Sequence, residues 1–208
     1  MARIVALVGS PNESGNTAAI VNSILDGAMG LSTNTIVYHN LWKASANDRG
    51  NYILHCHDAV KPQIDSSMQI ILDDIASSDV VIFGTPVYFD MPTSQFQLIL
   101  EYMYGMLSAD FSESILTGKK AIIAVSCNKI NENSLNVVDT IVHSLGQFGI
   151  QVVDRLIYQD CDGPFSSNEV ARKKALSVGT KFVRSTNVIQ NNEVLRLNRN
   201  NLREKYVD

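Results

Sequence analysis

The sequence predicts an α/β protein, with a doubly wound sheet of five parallel strands in the order 2-1-3-4-5 and helices on both faces. Two observations carry the expectation. Residues 4–8, 80–83, 121–125 and 150–153 are short apolar runs, rich in β-branched side chains and bounded by turn residues. Runs without polar alternation belong to strands covered on both faces, which is the situation of a parallel sheet. The gaps between them hold one-sided helical stripes, and strands alternating with such helices give right-handed crossovers.

The elements follow in order. Residues 4–8 form the first strand, and Val21, Ile24, Leu25 and Ala28 mark the first helix at i, i+3, i+4, i+7 spacing. Residues 35–38 are a weaker strand. Residues 39–66 are expected to be a long connection, and loops of that length are usually functional or mobile. It carries Trp42 and the cluster His55-Cys56-His57-Asp58, and leads to a helix ending near Ile75. After the strand at 80–83, Phe96, Ile99, Leu100 and Met103 mark another helix. Leu135, Val138, Ile141, Val142 and Leu145 mark the next, and Ala171, Ala175, Val178 and Phe182 the last. One domain is expected over 1–185. The tail at 186–208 is polar and Asn-rich, and is read as a frayed end, a short docked helix or an oligomer contact.

Composition removes several classes. The chain has 208 residues, 45% hydrophobic and 18% charged, which suits a globular domain large enough to hold a core without a metal or disulfide staple. Its 17 basic and 21 acidic side chains give −4 with no basic run, which argues against nucleic acid as a partner. The apolar runs fall far short of the roughly 20 residues of a membrane span. The apolar start is too short for a signal peptide. Three scattered cysteines, Cys56, Cys127 and Cys161, form no disulfide framework, so a reducing, cytoplasmic location is expected.

Three loops carry the candidate chemistry. Gly9-Ser10-Pro11-Asn12-Glu13-Ser14-Gly15-Asn16-Thr17 follows the first strand and opens the first helix. Free N–H groups and the helix dipole converge at such a place, so it suits a phosphate, to which Ser10, Ser14, Asn16 and Thr17 add neutral donors. It is neither a Walker loop nor a GxGxxG turn. The same residues equally suit helix capping. The second loop, Gly84-Thr85-Pro86-Val87-Tyr88-Phe89-Asp90-Met91-Pro92, is stiffened by two prolines. Tyr88 and Phe89 offer a wall for a flat ring, or serve as core aromatics. The third, Ser126-Cys127-Asn128-Lys129, closes the same crevice or is a plain turn. Asp90 and Trp42 are pocket candidates by location.

On the first two loops the chain resembles the flavodoxin-like NAD(P)H-dependent FMN reductases, in the branch that includes iron–sulfur flavoproteins and quinone reductases. The family pattern G-S-P-R-x-x-G-N-T stands here as residues 9–17, and P-V-Y-F as Pro86-Val87-Tyr88-Phe89. The resemblance spans about residues 3–185. It implies an FMN-dependent oxidoreductase passing a hydride from NADH or NADPH to a quinone, a flavin or another small acceptor. Ser10, Asn12, Ser14, Gly15, Asn16 and Thr17 would then hold the phosphate. Pro86, Val87, Tyr88 and Phe89 would contact the isoalloxazine, and Ser126 and Asn128 match the third flavin loop by position. Homodimers or homotetramers are common among such relatives. The chain departs from the family at Asn12, where arginine is usual, and at the third loop, which is usually glycine-rich. The cluster-bearing cysteines of the iron–sulfur branch are reduced here to Cys56, and one thiolate cannot hold a cluster that needs four ligands.

No metal is expected. His55, Cys56, His57 and Asp58 diverge in an extended chain, and no second ligand pair follows at metal spacing. Cys161, between Asp160 and Asp162, is expected to be a poor nucleophile. Two other functions fit the same fold: a flavodoxin-type electron carrier, and a flavin-free binding module.

Overall fold

A computed structural model describes residues 2–30, 34–45, 66–108 and 113–190. Its main sheet is parallel and ordered β2-β1-β3-β5-β6: β1 is Arg3–Val8, β2 Thr35–Asn40, β3 Val80–Tyr88, β5 Lys120–Cys127 and β6 Gln151–Gln159. Counted without the two-residue strand β4, Met91–Pro92, that is the predicted 2-1-3-4-5 order. The strand β4 pairs antiparallel with the end of β3.

The apolar runs work as predicted, because alternate side chains of one strand enter two separate cores. Val5, Leu7, Val81, Phe83, Ile123 and Val125 face α3 (Ser66–Ser77), α4 (Ser94–Met103) and α5 (Glu132–Gln147). Ile4, Ala6, Val80, Ile82, Ile122 and Ala124 face α1 (Asn16–Met29) and α6 (Glu169–Gln190).

Several expectations change. The long connection is shorter, since β2 runs to Asn40 and is followed by the short helix α2, Leu41–Ser45, with Leu41 buried. The cluster at His55, Cys56, His57 and Asp58 lies outside the described residues. On α5 the buried stripe is Ser134, Val137, Val138, Ile141 and Leu145. Leu135 falls two residues from Val137, about 200° around the helix, and is exposed. The last strand begins at Gln151 and has one neighbour, so its outward side chains, Val153 among them, stay exposed and the apolar run breaks. Residues 186–190, assigned to the tail by sequence, are the end of α6; residues 191–208 lie outside the described residues.

Helices α1 and α6 touch backbone to backbone. A Cβ on Gly179 would overlap the carbonyl of Ile24, and one on Gly27 the carbonyl of Leu176. Thr180 Oγ1 donates to Gly27 O at 3.2 Å across the same seam. This contact fixes α1, and with it the loop that α1 opens. Gly179→Ala is expected to lower stability by about 1–3 kcal/mol, because rigid backbone must move to admit the methyl. Gly146→Ala, on the open face of α5 with nothing within 4 Å, is expected to raise stability by up to about 1 kcal/mol. Urea unfolding of both variants checks the pair; equal effects would remove the close approach as the cause.

Candidate functional site

The three loops leave the carboxyl edge of β1, β3 and β5, which is where a doubly wound sheet forms its crevice. The Gly9 amide donates to Gly84 O at 2.8 Å and ties the first loop to β3. Both positions need glycine for space. A Cβ at Gly9 would lie 2.7 Å from Thr93 Oγ1, and one at Gly84 2.7 Å from Val21 Cγ2.

The first loop organises itself. Asn12 Oδ1 accepts from Ser14 N and from Ser14 Oγ, each at 3.1 Å, and Gly15 N donates to Asn12 O at 3.1 Å. Ser10 is buried; its Oγ accepts from Asn12 N at 3.2 Å and donates to Asn12 O at 3.3 Å. These bonds present the head of α1, whose N-cap, Gly15, has no side chain to close it. The first-turn amides of Asn16, Thr17 and Ala18 have no intrahelical acceptor, and the positive end of the helix dipole lies there.

Asn16 and Thr17 point their side chains elsewhere. Asn16 Nδ2 donates to Asp160 Oδ1 at 2.7 Å, and Asn16 Oδ1 accepts from Phe165 N at 2.8 Å. The carboxamide therefore bridges α1 to the chain beyond β6. Thr17 Oγ1 and Ser126 Oγ share a buried hydrogen bond of 2.7 Å, which spends both hydroxyls on joining the first loop to the third.

The second loop is a hairpin, where a stiff loop was expected. Strand β3 continues through Gly84-Thr85-Pro86-Val87-Tyr88, and Val87 pairs with Pro92 and Tyr88 with Met91. The two turn residues, Phe89 and Asp90, have φ of 51° and 58°. Positive φ at both central positions is the twist-matched hairpin turn that normally selects Asn-Gly. A non-glycine residue held there costs on the order of 1–3 kcal/mol, so the surroundings must hold it. Thr93 N donates to Thr85 Oγ1 at 3.2 Å, Gln97 Nε2 to Pro92 O at 3.0 Å, and Asn133 Nδ2 to Asp90 Oδ2 at 2.9 Å. Pro86 is buried and Val87 half-buried. Phe89 is 101% exposed and Tyr88 49%, so neither is a core aromatic.

In the third loop Ser126 and Cys127 are buried, whereas Asn128 is exposed and its carbonyl accepts from Cys161 N at 3.3 Å. Asn131 then caps α5 reciprocally with Ser134. Burial pushes the Cys127 thiol above its ordinary pKa; Asp160 and Cys161 add to the rise, and a hydrogen bond with Ser134 partly opposes it. Beside the first loop, Trp42, Lys43 and Asn40 line a cleft of about 600 Å³ with Pro11, Asn12, Glu13 and Ser14. Lys43 Nζ pairs with Glu13 Oε1 at 2.5 Å, exposed to solvent. Asp90 lines a second cleft of about 320 Å³, between the hairpin, α4 and α5.

Sequence reasoning missed Asn133, Asp160 and Thr93. Asn131 and Ser134 at capping-box spacing could have placed the start of α5 and so brought Asn133 beside the second loop. Nothing local marks Asp160 as the partner of Asn16.

A family model described as NADPH-dependent FMN reductase matches residues 2–160. The chain belongs to that family. It is an FMN-dependent oxidoreductase that draws on NAD(P)H. No curated protein matches the chain. Solved structures show the same fold. An NADH:FMN oxidoreductase in its apo form is 17% identical, with 89% of this chain and 90% of that one covered and a TM-score of 0.66. The NAD(P)H:quinone oxidoreductase of Methanothermobacter marburgensis is 12% identical over 87% and 96%, at 0.64. An oxidoreductase from Corynebacterium diphtheriae is 17% identical over 88% and 96%, at 0.65. The crevice of this reductase fits FMN in kind. It joins an uncapped helix N-terminus, able to take a phosphate, to a hairpin tip with two exposed rings.

The two described thiols should react differently. A raised pKa leaves less Cys127 thiolate at a given pH, and burial hinders attack, whereas Cys161 is exposed. With iodoacetamide at pH 8, Cys161 is expected to be alkylated at least about tenfold faster than Cys127, and raising the pH should narrow the gap. Peptide mass mapping over time reads both; equal rates would contradict the buried placement of Cys127.

Proposed function

We propose that this reductase holds FMN across the crevice, receives a hydride from NADH or NADPH, and passes it to a quinone, a free flavin or another small acceptor. The observation that carries the reading is the pairing of the open head of α1 with the exposed aromatic tip of the β3–β4 hairpin, on neighbouring strands. In this reading the first-turn amides from Asn16 onward take the phosphate, with Ser10, Asn12, Ser14 and Gly15 shaping the loop around it. Asn16 and Thr17 contribute backbone donors, while their side chains brace the loop. Pro86, Val87, Tyr88 and Phe89 support the ring, and Ser126 and Asn128 bound the crevice on its third side.

When bound, FMN supplies the two-electron chemistry. The chain's part is to bind and orient. The neutral donors of the first loop hydrogen-bond the phosphate, the hairpin keeps one wall against the ring, and the open side admits donor and acceptor in turn. That arrangement predicts ping-pong kinetics.

Exposed apolar side chains gather about the hairpin, with Tyr88, Phe89 and Met91 on it and Ile130 and Leu135 on the adjoining segment. A homodimer or homotetramer is the proposed assembly, with 1–185 as its flavin-binding domain and 186–208 as a contact between copies. Free Cys127 and Cys161 accord with a reducing, cytoplasmic location. Among the described residues no helix is long and apolar enough to cross a membrane.

The test is a flavin titration followed by reduction under anaerobic conditions. FMN added to the purified protein is expected to lose fluorescence on binding, and NADH or NADPH is expected to bleach its visible absorption. Uptake without bleaching would assign a flavodoxin-type carrier. No uptake would leave a flavin-free binding module.

A further inference from the structure

The hairpin that faces the crevice is held in a costly shape. Both of its turn residues, Phe89 and Asp90, are L-residues at positive φ, and the strand they fold back is two residues long. The turn therefore depends on what its side chains meet. Phe89 is fully exposed and offers nothing to the protein. Asp90 does: its Oδ2 accepts from Asn133 Nδ2 at 2.9 Å. Asn133 is in the first turn of α5, and that turn is closed by a reciprocal cap. Ser134 N donates to Asn131 Oδ1 at 2.9 Å, and Asn131 N donates to Ser134 Oγ at 2.9 Å. The carboxylate of Asp90 meets an exposed neutral donor at the positive end of a capped 16-residue helix. Glu101 of α4 lines the same cleft as Asp90, and Glu132 precedes Asn133 in the first turn. Thr93 and Gln97 close the base of the hairpin, and the donor at 133 is what holds its tip beside two other acidic side chains.

We propose that Asn133 is a positioning residue for flavin binding: its carboxamide pins Asp90, and the pinned turn sets where Tyr88 and Phe89 stand. The inference rests on the FMN reading above. Asn133 touches no reacting atom; it acts through Asp90.

The decisive variant is Asn133→Asp, which sets carboxylate against carboxylate and leaves the capping pair Asn131 and Ser134 intact. Two readouts are taken: FMN affinity by fluorescence quenching, and chymotryptic cleavage after Phe89 without flavin. Asn133→Asp is expected to weaken FMN binding at least about tenfold and to speed cleavage by a similar factor, with the melting temperature nearly unchanged. The exchange Asp90→Asn with Asn133→Asp restores one amide–carboxylate pair, because asparagine is among the residues most tolerant of positive φ. It is expected to bring both readouts back to within about threefold of the parent. Asn133→Ala, which removes the donor without adding charge, should fall between them. The proposal is overturned if Asn133→Asp matches the parent in both readouts, or if the exchanged pair is no better than Asn133→Asp alone. A parent that takes up no FMN sinks the flavin reading by itself, and the cleavage rates then still decide whether Asn133 pins the turn.

Discussion

A parallel sheet buried on both faces leaves little room for chemistry except at its ends. Every inward position of β1, β3 and β5 is taken by packing, with Phe83 and Leu7 on one side and Ile4 and Ile82 on the other fully out of solvent. Polar function must therefore sit where the strands stop, and the carboxyl edge is where the chain turns into helix N-termini with open amides. That constraint collects three loops distant in sequence into one crevice. The α1–α6 seam sharpens it. With no side chains at Gly27 and Gly179 the two helices meet at backbone distance, so the head of α1 is placed by the rigid part of the molecule.

The loops are not left to a ligand to organise. The first is folded by Asn12, Ser14 and Ser10 on one another, and the second is closed by Thr85, Thr93 and Gln97. The two are welded at Gly9 and Gly84, and the first is welded to the third at Thr17 and Ser126. A preformed site of this kind avoids the ordering cost that a floppy loop would have to meet on binding. The side chains of Asn12, Ser14, Asn16 and Thr17 thus serve here as framework, bonded to the protein itself.

Much of this was legible in the sequence, and the unread parts share a physical cause. The buried strands and the stripes of α1 and α6 were plain, because burial on both faces erases polar alternation and a one-sided face repeats at helical spacing. Leu135 was misassigned because it neighbours a true core position in sequence and differs from it only in angle. The hairpin was hidden because Phe89-Asp90 lacks the glycine or asparagine that normally announces such a turn; its shape comes from tertiary bonds to Thr93, Gln97 and Asn133. Asn16 read as a phosphate donor from local motif alone, and its partner Asp160 lies 144 residues away. Motif reading singled out the three loops. It could not assign side chains whose partners are distant.

The departure at Asn12 is best understood through the same division between framework and donor. An arginine there would bring positive charge toward a phosphate. It has no acceptor, so it could not take the Ser14 amide and hydroxyl that Asn12 Oδ1 now holds. In this chain the loop's shape depends on that acceptor. Of the carboxylates beside the loop, Glu13 is paired with the Lys43 ammonium, which limits its opposition to a bound anion, and Asp160 is held by the neutral Asn16 carboxamide. A helix terminus carries roughly half an elementary positive charge. Together with amides fixed in direction, this can hold a phosphomonoester without a cationic side chain. What the chain gives up in charge at position 12 it recovers in a loop already shaped before any ligand arrives.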